Sequence, residues 1–588
     1  MSSPSDQKPK ELSNELRMFL FVVLMGAILA GSPYVFRKLG LEPPPSARPA
    51  QQSNKPAGSA KPADPASTPA ASAAATASAN TNAEATPAGF IGAAKEGEWV
   101  LDTNAFRVVF SNRGAVAKSW TLRNYKDSNG KPLELINQVG ATKTAYPFSY
   151  VFRAQQPSTD LNQALWLAKP GPDGLSIEYN FSDGNTTAHK SFAFTRDGFL
   201  VQYADEVKLG AAPLPHLMQW RAGFGDMRVD KASAHQDNIR YDIDKGKLVN
   251  QAAKDAQGGP SRNDGMLDFS GIQDQYFTAV FLAPQGTPVQ TTTFYDNVAT
   301  VASSAPEGYP GVAVGSGGRN QFGVYIGPKE VDELAKVNPR LEAVIDWGFF
   351  GIIAKPIFFL LRLTNARVTH NYGWAIMLVT LAISFATFPL RLASLKSMRK
   401  MQSLQPELNK INEKYKGMAM SDPRAANKQQ EMMDLYKKNG VNPMGGCIPM
   451  LIQMPFLWAF YKTLQVAVEM RNATWLWVGD LSQPEHLNVL GTDMRILPVV
   501  MVASSYLMQR MTPMTGGDPA QQKMMQFMPL MYGFMFWPAS SGLVLYWLTS
   551  NLVGIAQQWF FNKTSGPLKV SSSPATKVIT AKDGRKRS

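Results

Sequence analysis

Thr380, Ser384, Thr387 and Arg391 recur every three or four positions at the end of one apolar run, so on a helix they share a face. Gln453 interrupts a second such run, and Tyr546, Trp547 and Asn551 interrupt a third. Polar groups inside apolar helices face a bundle or a wet cavity, because hydrocarbon offers them no hydrogen bonds. The chemistry these residues offer is solvation: they can hold water, or a charged chain segment, where the dielectric is low. Each also has a plainer use. A mid-helix Ser or Thr bonds the carbonyl one turn back, and an amide such as Gln453 ties helices together. Bond-making chemistry finds no counterpart: the chain carries no nucleophile elbow, zinc-protease helix or phosphate loop, and Gly315-Ser316-Gly317-Gly318 lacks the lysine that a phosphate loop needs. His189, His216 and His235 show no metal-ligand spacing and read as surface or satisfied histidines. No catalytic residue, metal or cofactor is expected.

The elements that position these residues emerge from composition. The 588-residue chain carries a formal charge of +14 and one cysteine, Cys447, so no internal disulfide can form. Its mean hydropathy of −0.18 suggests a soluble protein. The apolar residues are nevertheless concentrated in the first 40 positions and after position 345, as in a membrane protein. Residues 18–36 are uncharged and close to the length of a span, which predicts an uncleaved anchor after a cytoplasmic segment 1–17. Residues 37–95, rich in Pro, Ala and Ser, form a flexible linker. From 96 to 328, period-two alternation such as Phe106-Arg107-Val108-Val109-Phe110 is broken by turn clusters, among them Ser111-Asn112-Arg113-Gly114 and Ser182-Asp183-Gly184-Asn185. That texture predicts an all-β antiparallel sandwich.

Residues 329–370 read as a linking helix followed by an interfacial amphipathic helix, since Asp346 to Leu363 carries Lys355, Pro356 and Arg362. Tyr372 to Leu390 is the second span, within a segment 371–390. Residues 391–446 hold the basic stretch, with eleven Lys/Arg against five Asp/Glu over 391–438, which places it in the cytoplasm. Its stripes from Leu395 to Tyr415 and from Met432 to Tyr436 predict a helical hairpin with a turn at Gly417 to Asp422. Residues 447–561 carry spans three to six, at about 449–468, 495–511, 525–539 and 541–560, and 562–588 form a basic tail. The fold class is thus a polytopic α-helical membrane protein of six spans plus an all-β periplasmic sandwich. Six spans put both termini in the cytoplasm. Lys462 is a deep charge that must find a partner or snorkel.

Six motifs occur in order: Asn371-Tyr-Gly-Trp, Phe388-Pro389-Leu390, Leu404-Gln405-Pro406, Asn442-Pro443-Met-Gly-Gly-Cys447-Ile-Pro449-Met-Leu-Ile-Gln453-Met-Pro455, Asp518-Pro519-Ala-Gln-Gln-Lys523, and Ser541-Gly542-Leu-Val-Leu-Tyr546-Trp547-Leu-Thr-Ser550-Asn551-Leu. Over about 345–565 the chain resembles the YidC/Oxa family of membrane-protein insertases. The domain between the first two spans is similar to the large periplasmic domain of the Gram-negative branch. The resemblance implies a bacterial inner-membrane insertase and folding chaperone, acting alone or beside the Sec translocon, with a hydrophilic groove open to cytoplasm and lipid. Nascent membrane proteins would be its substrates and no small molecule is implied. Thr380, Ser384, Thr387, Arg391, Gln453, Tyr546, Trp547 and Asn551 would line the groove. Met398, Arg399, Lys400, Met401, Met432 and Met433 of the hairpin would meet substrate or ribosome, and the basic tail would meet ribosomal RNA or anionic lipid.

The chain departs from the family at one place. Ser384 stands where the family has an arginine, so Arg391, two turns on, is the candidate to supply the charge. Two rivals stay open at this stage: a secondary transporter, which should show repeats and paired midplane charges, and a membrane-anchored enzyme with its site in the sandwich.

Overall fold

The computed structural model describes residues 89–127, 129–227, 232–300, 304–415, 424–441, 448–489, 492–512 and 519–566. The expected first span, most of the linker, the hairpin turn, the Asn442–Cys447 motif and the basic tail beyond 566 lie outside the described residues.

Residues 90–328 form the β region expected from alternation. Every strand pairing in it is antiparallel. Its largest sheet runs Ser176–Asp183, Thr186–Phe194, Leu200–Leu209, Arg319–Pro328, Phe277–Leu282, Leu267–Gln273, Asp237–Asp242 and Lys247–Ala252, with short strands at its margins. A five-stranded and a four-stranded sheet cover it. The turn clusters work as their residue types require: at Ser182-Asp183-Gly184-Asn185 the Asp183 carboxylate accepts the N–H groups of Asn185 (2.9 Å) and Thr186 (2.6 Å), and Gly184 takes φ +91°. Between the sheets lie Trp120, Trp220, Phe148, Phe192 and Phe224, all fully buried.

Helix α1 (Val331–Val337) leads into α2 (Gly351–Thr364), whose last turn widens over Asn365–Thr369 before His370 turns left-handed (φ +49°). Asn371 then caps α3 (Tyr372–Ala386), accepting from the N–H groups of Gly373 (3.0 Å) and Trp374 (3.3 Å). The chain bends by 116° between Gly351–Thr369 and Tyr372–Ala386. The stretch from Tyr372 to Leu390, expected as the second span, is not one continuous helix. It breaks at Thr387, and α4 (Phe388–Ser403) starts afresh, because Pro389 has no N–H to give and its ring excludes the carbonyl one turn back.

A second break at Leu404 separates α4 from α5 (Gln405–Lys414), which pairs with α6 (Arg424–Lys438). Met401, Leu404, Leu408, Tyr436 and Val441 form a small core for this hairpin. Four further helices follow: α7 (Ile448–Val466), α8 (Ile496–Met511), α9 (Pro519–Phe536) and α10 (Ser541–Thr564). α10 packs against α8 and α3, and α2 against α7. Among the described residues no single helix is both long enough and apolar enough to cross a membrane, although the bent pair α2 and α3 is when taken together. Pro455 sits inside α7 and Pro529 inside α9.

Candidate functional site

Helix α10 is the hub of the polar residues. Its Tyr546 ring stacks on Phe460 of α7 at 4.2 Å, and Trp547 packs on Tyr532 and Phe536 of α9 at 5.4 and 4.8 Å. One turn on, Ser550 Oγ accepts from Gln453 Nε2 of α7 at 2.7 Å. Asn551 Nδ2 donates to Ser505 Oγ (2.7 Å) and Ser504 Oγ (3.0 Å) of α8. A further two turns along, Gln557 Nε2 donates to the carbonyl of Ser384 at 3.2 Å.

Residues three and four apart share a helix face, so the series 546, 550, 554 and 557 is one stripe. On that stripe Gly554 makes room for the only charge in the predicted set: a Cβ there would come within 2.6 Å of Arg391 Nη2. Arg391 is half-buried, with Nη2 3.9 Å from Met508 Sδ. Among the described residues no carboxylate forms an ion pair with it. Gln557 is 7 % exposed, and among the described residues its Oε1 has no hydrogen-bond partner.

The predicted residues therefore separate. Ser384, Arg391, Gln453 and Tyr546 meet at α10. Thr380 follows the plainer use: it is buried and its hydroxyl donates to the Ile376 carbonyl at 2.6 Å. Thr387 does the same toward Ile383 at 2.9 Å at the end of α3, and Arg391 lies on the next helix, α4. Asn551 is 7 % exposed and ties α8 to α10. In the hairpin, Lys400 and Met433 are exposed, while Met398, Arg399 and Met432 are half-buried. Met401 requires a correction, since it is 3 % exposed and belongs to the hairpin's own core rather than its surface. The Met stripe is what buried it, because a stripe long enough to seal two short helices uses its central members for that purpose.

Sequence reasoning missed Gly554, Ser504 and Ser505, although a Ser pair within an apolar helix facing a predicted Asn was a usable signal. It left Lys462 without a partner, and Asp346 Oδ2 supplies one at 2.6 Å.

Residues 98–360 match the family described as the YidC periplasmic domain, and residues 364–567 match the family described as 60Kd inner membrane protein. A membrane protein insertase YidC of Geobacter sp. (strain M21) is 33% identical over 483 residues, covering 79% of this chain and 85% of that protein. Its counterpart from Cupriavidus pinatubonensis is 32% identical over 503 residues, covering 80% and 84%. Among solved structures, an active YidC insertase crystal structure with its first transmembrane domain resolved aligns over 80% of this chain and 94% of its own, with a TM-score of 0.34 and 18% identity. With two family models side by side over most of the chain and relatives above 30% identity along nearly all of their length, this chain belongs to the YidC family of membrane protein insertases, inner-membrane proteins with a periplasmic β-sandwich domain and a helical C-terminal region.

Proposed function

We propose that the α10 stripe is the wall of a hydrophilic groove through which this insertase passes the polar flank of a nascent membrane protein. An apolar segment enters lipid downhill, each central Leu or Phe contributing roughly −0.3 to −0.6 kcal/mol. The flank is the obstacle, with a central Asp or Lys costing about +2.5 to +3.5 kcal/mol. A polar path part-way through the hydrocarbon shortens the low-dielectric stretch, so the work needs neither a chemical reaction nor a nucleotide. The observation that carries the reading is Arg391: a half-buried guanidinium with no described carboxylate partner, facing Gly554 and close to the Gln557–Ser384 bond. It would provide the charge that Ser384 lacks.

On this reading the helical region contributes spans two to six, the anchor at 18–36 makes six, and both termini and the basic hairpin lie in the cytoplasm. The exposed Lys400 and Met433 suit contacts with ribosome or substrate, and the Sec translocon is the expected companion in the membrane. A photo-crosslinking residue at Gln453 or Trp547 should capture a nascent membrane protein in vesicles depleted of the native insertase. Arg391→Ala should slow insertion of substrates with acidic flanks about tenfold and leave neutral ones unchanged. Normal insertion of both classes by Arg391→Ala, with no adduct from either position, would refute the groove.

A further inference from the structure

The β domain carries a recess built around two buried carboxylates. Asp274 accepts the N–H groups of Tyr276 (2.8 Å), Phe277 (2.6 Å) and Asp226 (3.2 Å). The loop bearing Asp226 is shaped to let Asp274 in: Gly225 has φ +85°, and a Cβ there would fall 1.9 Å from Asp274 Oδ2. Any other residue would close the recess.

The turn Val468–Met470, just after α7, leads to it. Val468 is 2 % exposed and belongs to the hydrophobic core of the β domain. Arg471 follows, its guanidinium paired with Asp226 and lying 5.4 Å from the Phe277 ring and 5.9 Å from the Tyr276 ring. Both partners of the pair are almost completely buried, with side-chain exposures of 6 % and 4 %. Two further bonds flank it: Gln275 Nε2 to the Gln465 carbonyl (3.0 Å) and Asn472 Nδ2 to the Lys126 carbonyl (3.3 Å).

Guanidinium stays charged at any working pH, and its fork with ring faces beside it suits a desolvated pair. Such a pair is close to all-or-none, because removing one member strands the other charge in a dry site. Two other pairs of the helical region are different in kind: Lys355–Glu342, between α2 and the turn before it, and Lys462–Asp346, between α7 and the segment before α2, keep at least one partner half open to solvent. Exposed pairs of that sort contribute little.

We propose that Val468–Asn472 is a plug and the Asp226, Asp274 and Phe277 recess its socket, with Arg471 as the positioning residue that fixes the β domain on the end of α7. The domain then rides with α7 and does not swing on the 329–350 segment. Anything that grips the β domain from outside pulls directly on the connector 467–495. This inference does not depend on the groove.

The test uses the full-length protein in membrane vesicles, with Cys447→Ser and a reporter pair, Gln275→Cys and Gln465→Cys, joined by a short bis-thiol reagent. The parent should crosslink readily. Arg471→Met and Asp226→Asn should each slow crosslinking roughly tenfold or more, while Lys355→Met should not. Limited proteolysis of the same vesicles should still release an intact β fragment, since Asp226 and Arg471 both lie outside the strands. Unchanged crosslinking in either Arg471→Met or Asp226→Asn would overturn the proposal. So would loss of the resistant fragment, which would make the pair a part of the β fold rather than a dock.

Discussion

The β domain and the helical region bury polar groups for opposite reasons. In the β domain two buried charges, Lys190 and Asp205, each sit among several partners inside an aromatic core. Lys190 Nζ donates to the carbonyls of Gly114 (3.1 Å), Ala115 (3.0 Å) and Phe148 (2.8 Å) and lies 4.2 Å from the Tyr150 ring. Asp205 takes His216 Nε2 (3.0 Å), Asn320 Nδ2 (2.8 Å) and the Tyr203 hydroxyl (2.5 Å). In the helical region the outside is apolar, with Phe349 93 % and Phe534 86 % exposed, while Thr549, Asn551, Gln557 and Gln558 are buried on α10. One region is built against water and the other against hydrocarbon. A polar side chain on α10 turns inward because lipid gives it nothing to bond.

The sharpest way to break this contrast is Lys190→Met. Without the Lys190 ammonium three carbonyls lose their donor at once and no side chain replaces it. Each stranded acceptor costs about 1–3 kcal/mol, so the domain should lose about 3 kcal/mol or more. Thermal unfolding of the β fragment signal in the full-length protein measures the loss. The matched change in the helical region, Gln557→Met, should cost much less, because its amide is only half bonded to begin with. Equal losses would remove the distinction.

This contrast also sets what the sequence could tell. Period-two alternation and Asp-Gly or Asn-Gly turns are local, so the strands between Phe90 and Pro328 and their hairpins were readable from residue types alone. The apolar runs gave the helices. What was not readable depends on which helix lies against which. Asn551 and Gln453 look alike in sequence, yet one is sealed against Ser504 and Ser505 and the other is exposed beside Ser550. Pro389 was visible, but whether it kinks a span or divides it is settled by packing. Arg471 carries no local signal, and only the fold brings Asp226, 245 positions earlier, beside it.

A pH experiment sharpens the boundary between the two regions. Glu469, in the turn after α7, is pushed up to about 7 by burial, with Glu330 nearby adding to the rise and Arg362 opposing it. Its folded value is raised, so the folded state holds the proton more tightly than the unfolded chain does. The stabilisation is fully present below about 4.5 and is lost as pH rises through about 7. Docking of the β domain on the helices should therefore be firmer at pH 5 than at pH 8, by about 1–3 kcal/mol. Glu469→Gln, which keeps the shape and cannot ionise, should flatten the dependence. Protease sensitivity of the 329–350 segment against pH reads the effect, and a flat profile in the parent would mean that this carboxyl already has solvent access.

The smallest effect belongs to Thr380, and it separates a groove residue from a helix residue. Its hydroxyl bonds the carbonyl of its own helix at 2.6 Å, and the side chain is 2 % exposed. Valine has nearly the same shape, and the Ile376 carbonyl keeps its backbone partner, so only one redundant bond disappears. Thr380→Val should change stability by about 0.5–1 kcal/mol and leave insertion of acidic and neutral substrates within about twofold of the parent. Gln453→Leu is the matched change at an exposed amide, and it should slow insertion of polar-flanked substrates more than that. If Thr380→Val proved the more damaging of the two, water would have to reach the buried face of α3, and the stripe on α10 would not be the wall that the substrate meets.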